Sequence, residues 1–225
     1  MNVDPAWSEP TWFLDSDSPE VDDFARTAVD GATSQREMAI RLFYAVRDGF
    51  RYDPYALDRE REAYRASSVV GRDSGWCVPK SIVLTSAARN RGIPARLGFA
   101  DVRNHLTSEK LMETMGTDLF AWHGYAELLL DGEWRKLSTA FNIELCERFG
   151  VKALEFDGDA DALMHPYDTA GNRHMEYVRQ RGSFDDLPFE EMFATFAELY
   201  PNSMMQSSNG SSAEAAGDDA FSGRD

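Results

Sequence analysis

Cysteine is scarce. The 225 residues hold two, Cys77 and Cys146, which excludes a disulfide scaffold, and neither lies in a C-x-x-C pair of the kind that holds structural zinc. Lysine is nearly as rare: Lys80, Lys110, Lys136 and Lys152 are all there are, and arginine carries the remaining basic charge. No run of some 18 apolar residues occurs, so no membrane span is expected. The opening Met1-Asn2-Val3-Asp4-Pro5 has no apolar core, so no secretory signal is expected and a cytoplasmic location follows. Asp and Glu outnumber Lys and Arg by 39 to 23, a formal net charge of −16. Such a surface repels phosphate backbones and anionic lipid, so neither nucleic acid nor membrane is an expected partner. His105, His165 and His174 lack metal-ligand spacing, and Asp157-Gly158-Asp159-Ala160-Asp161 is too short and wrongly spaced for a calcium loop. No metal and no cofactor are expected.

Enough apolar character remains, 43% with 12% aromatic, to bury one substantial core. Residues 1–18 read as an extended arm that docks through Trp7, Trp12 and Phe13. Residues 19–200 read as one domain, and 201–225, rich in Asn, Ser, Gly, Ala and Asp, as a disordered tail. Helical spacing runs from Pro19 to Phe50 with a break near Gly31, and Ser34 or Thr33 with Glu37 suggests a capping box. Residues 58–70 read as a polar segment with helical character. Cys77 to Asn90 reads as a helix stopped by Gly92. Ile93 to Ala100 alternates as a strand, 101–118 reads as an insertion with a helix over 108–114, and Phe120 to Leu130 turns through Asp131-Gly132 into a partner strand, Glu133 to Ser138. Further on, the pattern predicts a short helix over 142–149, a short strand over 152–156, a polar helix over 171–181 and an amphipathic helix over 188–200. Helices followed by a hairpin-joined sheet define an α+β arrangement, with the Cys77 helix packed on an antiparallel sheet.

The chemistry concentrates in Gly75-Trp76-Cys77. A thiol at a helix start faces unpaired N–H groups and the positive end of the helix dipole, which favour thiolate. His123, at the head of a strand, is the candidate base. The sequence resembles the transglutaminase-like superfamily of papain-type thiol enzymes in Gly75-Trp76-Cys77, Asn90-Arg91-Gly92-Ile93-Pro94-Ala95-Arg96, Trp122-His123-Gly124-Tyr125-Ala126-Glu127-Leu128 and Leu130-Asp131-Gly132-Glu133-Trp134. The resemblance implies a Cys–His–Asp triad with Cys77 as nucleophile and His123 as base, on a papain/transglutaminase-like α+β fold. Four residues beyond Trp134, where the family carries Asp, this chain has Ser138. Asn142, or an acid from Asp157, Asp159 and Asp161, is the alternative orienter. The Cys77 N–H is a candidate oxyanion donor, with Trp76 or Tyr52 as the second.

The expected activity is acyl transfer from an amide through a Cys77 thioester, with hydrolysis, as a protease or amidase, ahead of transglutamination. The substrate would be a peptide, a protein or a small amide. The alternative is a catalytically weak or inactive member that binds peptide or protein in the same cleft. Arylamine-type acetyl transfer would share the Cys–His chemistry, but no acyl-CoA signal is visible. Cys146, between Leu145 and Glu147, is expected to be structural, its thiol pKa raised by acidic neighbours. His165 and His174 are candidates to line the cleft, as are Tyr52, Asp53 and Tyr55.

Overall fold

Two N-caps begin the fold. In the computed structural model, which describes residues 4–105 and 107–200, Ser18 Oγ accepts the Val21 N–H at 3.4 Å and starts α1 (Pro19–Ala28) with Pro19 in its first turn. Ser34 Oγ likewise accepts the Glu37 N–H at 3.2 Å and starts α2 (Gln35–Gly49). Glu37 reaches back to the Thr33 N–H, at 2.9 Å, so both residues offered by the sequence take part in the cap. Gly31, at φ +75°, breaks the two helices apart. The tail from residue 201 lies outside the described residues.

Between α2 and the next long helix, Arg51–Tyr52 (β1) pairs in parallel with Ser74–Gly75 (β2). The helical segment expected over 58–70 shrinks to a 3-10 turn, Arg61–Tyr64, and a single turn, α3 (Ala66–Val69). Then α4 (Cys77–Asn90) runs through the middle of the molecule, buried at every residue from Cys77 to Arg89. Its bounds are those the sequence predicts. A helix buried all round cannot be amphipathic, and its small residues, Ser81, Ser86, Ala87 and Ala88, let neighbouring chains come close.

The sheet has four antiparallel strands in the order β5-β4-β3-β6: β3 (Ala95–Asn104), β4 (Leu119–Leu130), β5 (Glu133–Leu137) and β6 (Met175–Phe184). The β4–β5 hairpin turns at Asp131 and Gly132, both left-handed at φ +52° and +85°, as a two-residue turn with this dipeptide requires. One face of the β3–β4 pair, carrying Leu97, Phe99, Gly124, Ala126 and Leu128, packs on α4 and the core. The other face carries His123, Tyr125 and Glu127. Tyr125 lies flat across Gly98, where an added Cβ would fall 2.1 Å from its ring.

Three expectations are corrected. The polar segment over 171–181 is strand β6, not a helix: it completes the backbone pairing of β3, which otherwise leaves one side of a buried strand without partners. Residues 152–156 form no strand. Residues 101–104 belong to β3, so the insertion begins later and carries α5 (Glu109–Met115), capped by Ser108. The other helices match the pattern closely: α6 (Ile143–Arg148) and α7 (Phe189–Leu199). The arm docks through Trp7, edge-on to Trp134 at 5.0 Å, and through the buried Phe13 and Leu14, while Trp12 is half exposed. Among the described residues no helix is long and apolar enough to cross a membrane.

Lys80 fixes α4 in place. Its side chain is fully buried, and its Nζ donates to three backbone carbonyls: Arg47 O at 2.9 Å, Phe50 O at 2.7 Å and Ala140 O at 3.0 Å. The three donors of an ammonium match the three acceptors. Replacing Lys80 by Met keeps the stem and strands all three oxygens. Chemical unfolding of Lys80→Met is expected to show a loss of about 3 kcal/mol or more, from about 1–3 kcal/mol for each stranded acceptor, and a loss below about 1 kcal/mol would refute the assignment.

Candidate active site

Trp76 occupies the N-cap of α4 without a side-chain cap, so the first amides of the helix are not spent on one. The N–H groups of Cys77 and Val78 act on the Cys77 thiol, and a third, from Gly124 on β4, donates to Sγ at 3.4 Å. Strand β4 comes this near because residue 124 is glycine: a Cβ there would sit 3.1 Å from the Val78 Cα. His123 is the adjacent residue. Thus the strand backbone beside His123 touches the helix start that carries Cys77, 46 positions away in sequence. Both are buried, at 6% and 5% exposure. Burial pushes the Cys77 thiol up to about 11 against the pull of the three amides and of Lys80. Burial likewise pushes the His123 imidazole down to about 4. At neutral pH both groups are uncharged.

The approach to His123 is irregular. Ala100 pairs with His123 but Val102 pairs with Phe120, so Ala121 and Trp122 together oppose Asp101 in a β-bulge. Trp122 sits at φ +58°, a conformation that costs a bulky residue about 1–3 kcal/mol. Its surroundings hold it there. The Trp122 N–H donates to Asp101 Oδ1 at 3.1 Å, and Arg181 Nε donates to the same oxygen at 2.5 Å. The Arg181 guanidinium lies 4.5 Å from the Trp122 ring centroid. The Trp122 indole donates to Thr195 Oγ1 of α7 at 3.0 Å, and Tyr200 Oη accepts the Ala121 N–H at 2.6 Å while donating to Leu119 O at 2.8 Å. Tyr177 of β6 stands edge-on to the imidazole, centroids 6.2 Å apart.

Ser138 follows β5 and is buried, its N–H donating to Ala162 O at 2.8 Å. The Ser138 hydroxyl, the Thr139 hydroxyl and His123 Nε2 are all buried without a hydrogen-bond partner among the described residues. The alternative orienters are engaged elsewhere. Asn142 stands at the N-cap position of α6 without a side-chain cap; its Oδ1 accepts the Tyr52 N–H at 3.1 Å and its Nδ2 donates to Glu144 at 3.2 Å. Asp157 accepts the N–H groups of Asp159 and Ala160, Asp159 pairs with Arg36, and Asp161 accepts the Lys136 N–H.

The Trp76 ring packs against Tyr64 and Phe196 (centroids 6.2 and 5.9 Å), so its indole serves the wall of the site. Tyr52, paired beside Gly75, meets Phe141 edge-on at 4.9 Å, and burial together with the nearby Cys77 raises its phenol well above the usual value. Asp53 is buried and accepts the Tyr55 N–H at 2.9 Å. Cys146 is buried in α6, and burial rather than its acidic neighbours chiefly raises its thiol to about 11. His105 pairs with Glu176 at 3.2 Å. His174 is neither a surface nor a satisfied residue: it is fully buried, stacked on Phe141 at 5.9 Å, with both ring nitrogens lacking partners among the described residues. Sequence reasoning misses Lys80, Asp101, Arg181, Thr195 and Tyr200. It reaches Gly124 without its role, although a glycine inside a strand signals close backbone approach.

A helix-borne cysteine laid against the histidine strand of an antiparallel sheet belongs to a known class. The family model described as the transglutaminase-like superfamily matches residues 22–139, which is 118 of the 225 residues, and the chain belongs to that superfamily. A crystal structure of a presumed cysteine protease from Cytophaga hutchinsonii superposes with a TM-score of 0.51 at 12% identity, covering 88% of this chain and 51% of that one. A presumed protease from Parabacteroides distasonis superposes with a TM-score of 0.40 at 16% identity, covering 59% of this chain and 26% of that one. The chain thus spans about half the length of the first and a quarter of the second, and at such identity the first likeness is one of fold. No curated protein matches the chain.

The two buried imidazoles give the fold an acid sensitivity. His123 and His174 are both held near pKa 4 in the folded state, against about 6.5 when unfolded. Between those values the unfolded chain takes up protons that the folded chain refuses. Stability is therefore full above about pH 6.5 and falls as pH drops toward 4, by up to about 3 kcal/mol for each histidine. His174→Phe, which keeps the stack on Phe141, is expected to remove about half of this loss in unfolding titrations at pH 7 and pH 4.5. An unchanged pH dependence would contradict it.

Proposed function

We propose that this protein is a thiol-dependent acyl-transfer enzyme acting on an amide: a peptide bond, a glutamine side chain or a related group. The observation that carries the reading is the Cys77 Sγ accepting the N–H of Gly124, the residue beside His123. The resting pair is neutral, so His123 works as a general base at the moment of attack rather than as half of a standing ion pair. The Cys77 Sγ bonds to the carbonyl carbon as its proton passes to the imidazole. The oxyanion is received by helix-start amides, those of Cys77 and Val78 being nearest the sulfur. Collapse breaks the C–N bond, the imidazolium returns its proton to the leaving amine, and a thioester remains. Water, deprotonated by His123, then adds to the thioester carbonyl; the C–S bond breaks, the acid leaves, and Cys77 Sγ takes the proton back from the imidazolium. Hydrolysis is chosen over cross-linking because the Cytophaga hutchinsonii structure is described as that of a cysteine protease.

Ser138 favours a second reading. A hydroxyl supplies no charge to stabilise imidazolium, and a chain so altered could keep the cleft for binding peptide with little turnover. A peptidyl chloromethyl ketone and an activated ester separate the two. Under the enzymatic reading both label Cys77 in the wild type, and neither labels Cys77→Ser, whose fold is intact by circular dichroism. Peptide binding with no adduct would favour the binding reading.

Ser138→Asp tests the third position. A carboxylate facing His123 raises the imidazole pKa and favours the thiolate–imidazolium pair, so alkylation of Cys77 at pH 6–7 is expected to speed up about tenfold or more. An unchanged rate would mean that position 138 does not face the base.

A further inference from the structure

Strand β3 is flanked by two irregularities. On one side Ala121 and Trp122 form the bulge in β4. On the other, Ala100 pairs with Gln180 and Phe99 with Gly182, so Arg181 is the extra residue of a bulge in β6. The carboxylate of Asp101, 5% exposed on the intervening strand, joins them: one oxygen accepts both the Trp122 N–H and Arg181 Nε. A ladder would ordinarily satisfy that N–H with a strand carbonyl. Here a charged side chain does so, and the residue it holds is in a left-handed conformation directly before His123. From this we infer that Asp101 and Arg181 are a positioning pair for the base: together they fix the peptide that leads into His123 and so aim the imidazole. The role rests on the reading of Cys77 and His123 as the reacting pair.

The geometry gives each member a separate task. Asp101 sets the direction of the Trp122 N–H. Arg181 neutralises the buried carboxylate and covers the Trp122 ring, 4.5 Å from its centroid. Neither touches the thiol through any hydrogen bond or ion pair among the described residues. Strand β6 and helix α7, which follow the matched family segment, thereby reach the site through Arg181 and through Thr195 on the Trp122 indole.

The test pairs imidazole NMR with alkylation kinetics on the full chain, His123 signals being assigned from their loss in His123→Ala. In Asp101→Ala those signals are expected to shift or split. The iodoacetamide rate at Cys77, at pH 8, is expected to fall about tenfold to a hundredfold. Asp101→Asn, which keeps an oxygen for the Trp122 N–H, restores most of both. Unmoved His123 signals in a folded Asp101→Ala protein overturn the proposal. If that variant does not fold, Arg181→Met decides in its place: displaced His123 signals with a retained fold support the pair, and unmoved signals overturn it. His123→Ala separates the two levels. If it leaves the Cys77 rate unchanged, the reacting pair is wrong, while the NMR signals still decide the positioning role.

Discussion

The Lys80 ammonium, closed in by three carbonyl oxygens, is the interaction on which the rest of the structure depends. It joins the end of α2, the entry to β1 and the segment after β5 to the first turn of α4. Those are the parts that must stay together if a thiol, a strand and the residue after the hairpin are to meet. A hydrophobic side chain in the same volume would fill the space without specifying which carbonyls converge on it. An ammonium with three donors specifies all three. Burial lowers the Lys80 pKa to about 7, so its charge, one turn from Cys77 and favouring thiolate there, is only partly present near neutral pH, and position 138 lacks a carboxylate.

That lack changes the electrostatic balance at the site. A cysteine, a histidine and an aspartate can hold a thiolate and an imidazolium with a net negative charge. Here the thiol and the imidazole are both buried and held in their neutral forms, and His123 Nε2 and the Ser138 hydroxyl are each buried without a hydrogen-bond partner among the described residues. Burial dominates both titrations. What remains to the protein is geometry, and the β4 bulge with its braces supplies it.

Much of this is legible in the sequence, and for identifiable reasons. Helix α4 is readable to its terminal residues because Gly75 and Gly92 punctuate it and no other segment competes. The β4–β5 hairpin is readable from Asp131-Gly132, and Cys77 and His123 from motif order. Strand β6 escapes a sequence reading because its alternation is weak: Glu176, Arg179 and Gln180 are exposed, and what makes it a strand is the open side of β3, which no local pattern reports. For the same reason Asp101 and Arg181 stay hidden. Their partnership spans 80 positions and depends on two bulges that only the assembled sheet possesses. Lys80 looks like a surface residue because lysine usually is one.

The slips in β6 also bear on how the molecule meets other copies of itself. Among the described residues this strand is an outer edge of the sheet, ten residues long and mostly exposed, and a regular strand of that length would offer a template for pairing with another chain. Its register against β3 shifts twice, around Arg181 and again around Val178. Each shift throws the outward donors and acceptors out of step, so an incoming strand meets a matching row for only two or three residues before it must break. The same irregularity that carries Arg181 to the site thus closes the sheet's open edge to strand addition.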